Sequence, residues 1–235
     1  IYTSNRGSSA VWEDPRFLAA YLCYFMPLNL MRCEAALLQT RHLPKTSYLI
    51  DYGAGLGALS LAALNSHSFE KIILYEPSKK ALKMAEQIFA DLRPSAPVQF
   101  ESSSSRIDQF LSSSASKTVG YSYSLNEFQE FKENPQQVEQ FLFVEPSTQK
   151  SGRALQTLRE QLLEKKHFAW APCLHQEKCP LLHHSKTDWC HTRLHVAMPD
   201  WFLNIEKFLP IKNQSLTFSY LATSTTSPLS YKDRR

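Results

Sequence analysis

The chain has 235 residues, of which 43% are apolar and 20% charged, with a formal net charge of +4. These proportions belong to a globular domain with a sizeable core and exclude a chain that is disordered throughout. No window approaches the roughly 18 consecutive apolar residues of a membrane-spanning helix, so no membrane partner is expected.

Residues 1–16 are polar and read as an extended lead-in. Phe17 to Gln39 predicts a helix, because Phe17, Tyr21, Tyr24, Leu28, Met31, Ala35 and Leu38 recur at helical spacing; Pro27 should kink or split it. Tyr48-Leu49-Ile50 predicts a short buried strand running into Asp51. Strands and helices then alternate: a helix at Leu59–Leu64, a strand at Lys71–Tyr75, an amphipathic helix at Ala81–Leu92 and a strand at Val98–Phe100. Further strands are predicted at Val119–Ser122 and Phe141–Val144, a helix at Gly152–Leu163, and late strands at Phe168–Trp170 and Leu216–Leu221. Ser102–Ser105 and Ser112–Ser114 read as loops or helix caps. The alternation predicts an α/β fold, a parallel sheet wrapped by helices, and the two late strands without a helical crossover predict an antiparallel ending. We divide the chain into an N-terminal helical segment (1–46), a main domain (47–223) carrying a Cys/His-rich insertion (171–200), and a polar tail (224–235).

Three of the six glycines fall within five residues, in Asp51-Tyr52-Gly53-Ala54-Gly55-Leu56-Gly57. A strand must turn sharply into a helix here; glycine permits positive φ and lets the backbone approach a ligand, and the N–H groups of the helix start can face its polar atoms. The spacing is GxGxG after an acid rather than GxGxxG, which disfavours a pyrophosphate. Glu76 ends the apolar run Ile72-Ile73-Leu74-Tyr75, 19 residues after Gly57. An acid there can accept hydrogen bonds from both hydroxyls of a ribose. Asp51, Gly53, Ala54, Gly55, Gly57 and Glu76 are therefore the candidate cofactor-binding residues.

Eight Cys and His residues lie between Cys173 and His195. Cys173, Cys179 and Cys190 can converge on one metal centre, zinc or iron–sulfur, if the loop folds back. His184, His191, Cys23 and Cys33 are candidates for a fourth ligand. The odd cysteine count argues against a disulfide framework. Charge is uneven: residues 1–149 carry 13 basic and 15 acidic residues, and residues 150–235 carry 13 and 7. A basic C-terminal third suits a polyanion such as RNA, with Arg153, Arg159, Lys165, Lys166, Lys178, Lys186 and Arg193 as contacts. A solvated basic face would read the same way.

Five stretches carry a family resemblance. Tyr21-Leu22-Cys23-Tyr24-Phe25-Met26-Pro27 resembles a helical AYLxYxxP opening, and Asp51–Gly57 a DxGaGxG loop. Ser124-Leu125-Asn126-Glu127-Phe128 resembles xLNEL, and Val144-Glu145-Pro146-Ser147-Thr148 resembles vEPGT with serine for glycine. Pro172-Cys173-Leu174-His175, Cys179-Pro180 and Asp188-Trp189-Cys190-His191 resemble PCPHxxxCP…DWCH. Together they make the chain similar to the methyltransferase-like proteins of the small ribosomal subunit, found in bacteria and mitochondria. The resemblance implies a Rossmann-like class I methyltransferase fold, S-adenosylmethionine as cofactor, and small-subunit rRNA or the small ribosomal subunit as partner. It implies a bacterial cytoplasmic location, or alternatively the mitochondrial matrix. It also implies a [4Fe–4S] cluster whose fourth ligand lies further along the chain, whereas this sequence has no cysteine after Cys190; zinc is the alternative.

Methyl transfer is an in-line displacement, so positioning supplies much of the catalysis. Asn126 and Glu127 are the candidate catalytic pair, Asn126 to hydrogen-bond a base or the cofactor and Glu127 to orient it. Both would serve equally as caps of the following helix. Two functions stay open on this reading: an rRNA methyltransferase, and a non-catalytic ribosome-assembly factor that keeps the cofactor fold.

Overall fold

A computed structural model describes residues 12–66, 69–92, 94, 96–125, 134–210, 213 and 215–228. The predicted first helix is three pieces: α1 (Pro15–Ala20), a π-helical turn (Tyr21–Phe25) and α2 (Met26–Gln39). Pro27 is the cause. It has no N–H to give the preceding turn, and the strain is absorbed by a wider turn in which the Met26 N–H reaches back to the Tyr21 carbonyl.

The chain continues through β1 (Tyr48–Tyr52), α3 (Ala58–Ser66), β2 (Lys71–Tyr75), α4 (Lys79–Leu92) and β3 (Val98–Glu101). It then forms α5 (Ser104–Leu111), β4 (Lys117–Ser122), β5 (Gln140–Pro146), α6 (Gln149–Glu164) and β6 (Phe168–Ala171). The last elements are α7 (Pro180–His184), β7 (Thr192–Leu194), α8 (Asp200–Glu206) and β8 (Leu216–Ser224). Three helices differ from the sequence reading. Within the serine-rich stretch Ser103 is the N-cap residue of α5, whose single buried residue is Ile107. The five-residue α7 and seven-residue α8 are too short for a legible period.

Among the described residues eight strands form one sheet in the order β3-β2-β1-β4-β5-β8-β6, with β7 also on β8. The first five are parallel to their neighbours. β8 runs antiparallel to β5, β6 and β7, the expected ending. Alternation along the strands feeds two cores: Leu49, Ile72 and Leu74 pack with α2 and α3 residues on one face, while Ile50, Ile73, Phe141 and Phe143 meet Leu155, Leu158 and Leu162 of α6 on the other. The β1 strand is flanked by β2 and β4, whose connections leave in opposite directions. In open α/β sheets that switch point opens a crevice beyond the carboxyl ends of the strands.

The C-terminal insertion is fastened to this frame. Trp189 donates its indole N–H to the Ser147 carbonyl at 2.8 Å and lies against Gly152 of α6, where a Cβ would come within 2.6 Å of its ring. Ser147, which stands where the resembling motif has glycine, donates its hydroxyl to Thr217 of β8 at 2.7 Å. Phe202 of α8 stacks on Tyr24 at 5.0 Å, tying the helix that follows the insertion to the N-terminal helices.

Candidate functional site

The glycine loop leaves β1 at the crevice. Gly53, Gly55 and Gly57 all have positive φ, at 72°, 54° and 85°. The N–H groups of Gly53 and Ala54 bond back to the Tyr75 carbonyl at 2.9 Å each, which pins the loop to the end of β2. Glu76, the next residue, is buried; its carboxylate accepts from the Gly55 N–H at 2.9 Å and from the Ser78 N–H at 2.8 Å. Burial raises its pKa, and those two N–H bonds oppose the shift. The loop and the acid, 19 residues apart in sequence, are thus in direct contact.

Asp51 is 1% exposed. One of its oxygens, Oδ2, accepts from both the N–H and the hydroxyl of Ser60 at the start of α3, at 3.1 and 2.8 Å. The other, Oδ1, is buried with no hydrogen-bond partner. Burial pushes the Asp51 pKa up to about 6, the Ser60 bonds hold it down, and the charge of Glu76 adds to the rise. A buried acceptor left open beside a glycine loop fits a ligand that brings a cationic donor, such as the ammonium of a methionine moiety.

Several residues at the crevice carry no sequence signal. Trp12 is buried against the glycine loop, so that a Cβ on Gly55 would sit 3.2 Å from its ring, and it packs edge-on to Tyr21 at 5.0 Å. Arg32 and Cys33 descend from α2. The Cys33 sulfur lies 3.2 Å from the Ser122 hydroxyl at the end of β4. The Arg32 guanidinium lies over the ring of Tyr123, 5.7 Å from its centroid, and Tyr123 itself has φ of 60°. These groups meet across separations such as the 89 residues between Cys33 and Ser122, beyond any local pattern. Of the segment after β4, Ser124 donates to the Tyr52 carbonyl at 2.7 Å and the Leu125 N–H donates to Glu145 at 3.0 Å. Asn126 and Glu127 lie outside the described residues.

A separate cavity of about 230 Å³ lies at the opposite ends of the parallel strands, lined by residues such as Arg41, Thr118 and Gln140. Its polar groups satisfy one another: Thr46 with Thr118, Thr118 with Gln140, and Gln140 with the Pro44 carbonyl. It is a seam in the packing, remote from the glycine loop.

The three cysteines of the insertion, Cys173, Cys179 and Cys190, share one cavity lining with Gln156, Arg159 and Tyr220. Burial raises the Cys173 and Cys190 thiols; the other cysteines add to both shifts, and Arg159 holds Cys173 down. Among the described residues, however, no group of three or more His, Cys, Asp or Glu stands close enough to hold a metal ion. The candidate fourth ligands are elsewhere: His184 is exposed, His191 lies against the Trp189 ring, Cys23 is exposed and Cys33 sits beside Ser122.

Two of the seven basic residues expected at RNA are structural instead. Arg159 is 2% exposed and donates to the carbonyls of Glu177 and His175 at 2.9 and 2.6 Å. Arg153 donates to the carbonyls of Leu182, Ser185 and Asp188, fastening the insertion to α6. Lys165, Lys166, Lys178, Lys186 and Arg193 are exposed.

A five-stranded parallel sheet completed by an inserted antiparallel strand, with a glycine loop after β1 and an acid after β2, defines a Rossmann-like class I methyltransferase fold. A family profile described as mitochondrial small ribosomal subunit Rsm22 matches residues 19–234, and the chain belongs to that family. No curated protein matches the chain. Similar solved structures include precorrin-6y C5,15-methyltransferase from Geobacter metallireducens, with 12% identity and a TM-score of 0.49 over 81% of this chain and 87% of that one. TrmK of M. capricolum in complex with S-adenosylhomocysteine has 7% identity and a TM-score of 0.47, over 84% and 70%. An rRNA methylase from Streptococcus thermophilus has 10% identity and a TM-score of 0.45, over 81% and 92%. The fold assignment rests on the strand order rather than on these distant likenesses. The family's description is mitochondrial, and no helix among the described residues is long and apolar enough to cross a membrane.

Proposed function

We propose that the protein binds S-adenosylmethionine between the glycine loop and Glu76 and acts on the RNA of the small ribosomal subunit, or on the subunit during assembly, in the mitochondrial matrix. The observation that carries the cofactor reading is the pair of buried carboxylates at the loop. Glu76 holds the Gly55 N–H and can accept further bonds from a ribose, while Asp51 keeps an open buried oxygen for an ammonium. When bound, S-adenosylmethionine supplies an electrophilic methyl group. The chain's own part is to hold its two ends and exclude water, with Trp12 and Tyr21 as the cover over the loop. Asn126 and Glu127 are the residues we propose to position the acceptor. Exposed Lys165, Lys166, Lys178, Lys186 and Arg193 supply the phosphate contacts in this reading.

Calorimetry with S-adenosylhomocysteine tests the site. Glu76→Gln is expected to weaken binding at least about tenfold, because one charged acceptor is lost; undiminished affinity overturns the assignment. Mapping methylation of small-subunit RNA with and without the protein separates an enzyme from a non-catalytic assembly factor.

The second proposal is that Cys173, Cys179 and Cys190 ligate a metal centre, a [4Fe–4S] cluster in preference to zinc. Their shared cavity, with the Arg159 cation beside the thiols, supports it. Its role would be structural, tying the insertion to β8. Anaerobically purified protein is expected to carry about four irons per chain. One zinc and no iron decides for the alternative. Metal-free folded protein, with Cys179→Ser as stable as wild type, removes the site.

A further inference from the structure

We infer that Arg32 binds the carboxylate of the cofactor's methionine moiety, so that the crevice reads an amino acid by both of its charges. This rests on the cofactor reading above and extends it to a residue on the N-terminal helix. The Arg32 guanidinium is held over the Tyr123 ring, just past the end of β4, and its Nη1 donates to Asn29 Oδ1 at 2.9 Å. Asn29 is itself buried, three residues back on the same helix. The guanidinium is therefore set in place from two sides before any ligand arrives. Yet its Nε is buried with no hydrogen-bond partner, and no carboxylate among the described residues forms an ion pair with it. A fixed planar fork with a spare buried donor is the arrangement that takes a carboxylate.

The complementary charge is near. Cys33, the next residue of α2, places its sulfur 3.2 Å from the Ser122 hydroxyl at the end of β4, so this turn of α2 packs at the carboxyl end of the strand beside β1. Asp51, with its open acceptor, lies near the end of β1, and Tyr123, beneath the Arg32 guanidinium, follows the end of the neighbouring strand β4. An ammonium and a carboxylate on one carbon match that pair. A nucleoside without the amino-acid end would use Glu76 alone.

The test compares S-adenosylmethionine with decarboxylated S-adenosylmethionine by calorimetry on wild type and Arg32→Met, which keeps an apolar stem over Tyr123. Wild type is expected to prefer the carboxylated form about thirtyfold, the range of a charge-assisted hydrogen bond. Arg32→Met is expected to lose that preference by weakening only the carboxylated form; Arg32→Lys should restore part of it. Equal weakening of both ligands, or an unchanged preference, overturns the inference and leaves the cofactor site standing. Wild type that binds neither ligand overturns the cofactor reading and this inference with it.

Discussion

Gly57→Ala is expected to destabilise the protein by about 4 kcal/mol, combining a left-handed backbone penalty of about 1–2 kcal/mol with overpacking of about 1–3. At φ of 85° an alanine is strained, and its Cβ would lie 2.8 Å from Leu74 Cδ2 and 2.8 Å from the Phe89 ring. Neither neighbour can withdraw: Leu74 is 0% and Phe89 2% exposed, at the centre of the core between β2 and α4. Urea unfolding of variant and wild type measures the effect; a loss under about 1 kcal/mol would show that the loop relaxes around the new methyl. Gly55 differs in kind. The nearest atom to its Cβ is the Trp12 side chain at 3.2 Å, so Gly55→Ala disturbs the cover over the crevice more than the core. Of the loop glycines, Gly57 therefore answers to the core and Gly55 to the contact with Trp12.

Asp51→Asn is expected to make the protein more stable at pH 8, by about 2 kcal/mol, and, on the proposed cofactor reading, to weaken the hold on the ligand's ammonium. The fold raises the Asp51 pKa from 3.8 to about 6, so it favours the protonated acid. A group shifted that way contributes stability that is fully present below pH 4 and is lost as pH rises through 6. The whole shift corresponds to about 3 kcal/mol. Asparagine is neutral at every pH, and its carbonyl can still accept from Ser60. Its amide then occupies the side where Oδ1 had no partner, which offsets part of the gain. The measurement is the stability difference between variant and wild type from pH 4 to 8, in which other carboxylates cancel. A difference that does not grow between pH 4 and 6 would refute it. Stability given up for an ionised acid at a ligand crevice is the pattern expected of a functional group rather than a packing one.

The parallel half of the sheet was legible because its strands are continuous apolar runs closed by turn residues. Lys71–Tyr75 is observed where it was predicted, and Glu76, which ends that run, accepts from the Gly55 N–H of the glycine loop. The partners that complete the crevice were not legible. Ser60 is an ordinary helix serine until it faces Asp51, and Arg32 is one of 26 basic residues until α2 places it over Tyr123. In the insertion the cysteines were legible from their density, but the roles of the arginines were not. Charge alone sent Arg159 to RNA, whereas carbonyls of the insertion enclose it.

The position of β8 has a consequence for synthesis. This strand supplies the backbone partners of β5, β6 and β7, but it ends at Ser224, 78 residues after the end of β5 at Pro146. At about 5–20 residues per second of translation, the β5 edge waits on the order of ten seconds for its neighbour. During that interval Phe141, Phe143 and Val144 stand on an open strand edge, the kind of surface that recruits other chains. Truncations that stop before Leu216 are therefore expected to aggregate rather than to leave a smaller folded domain, and a nascent chain is expected to need chaperones until β8 threads into the sheet.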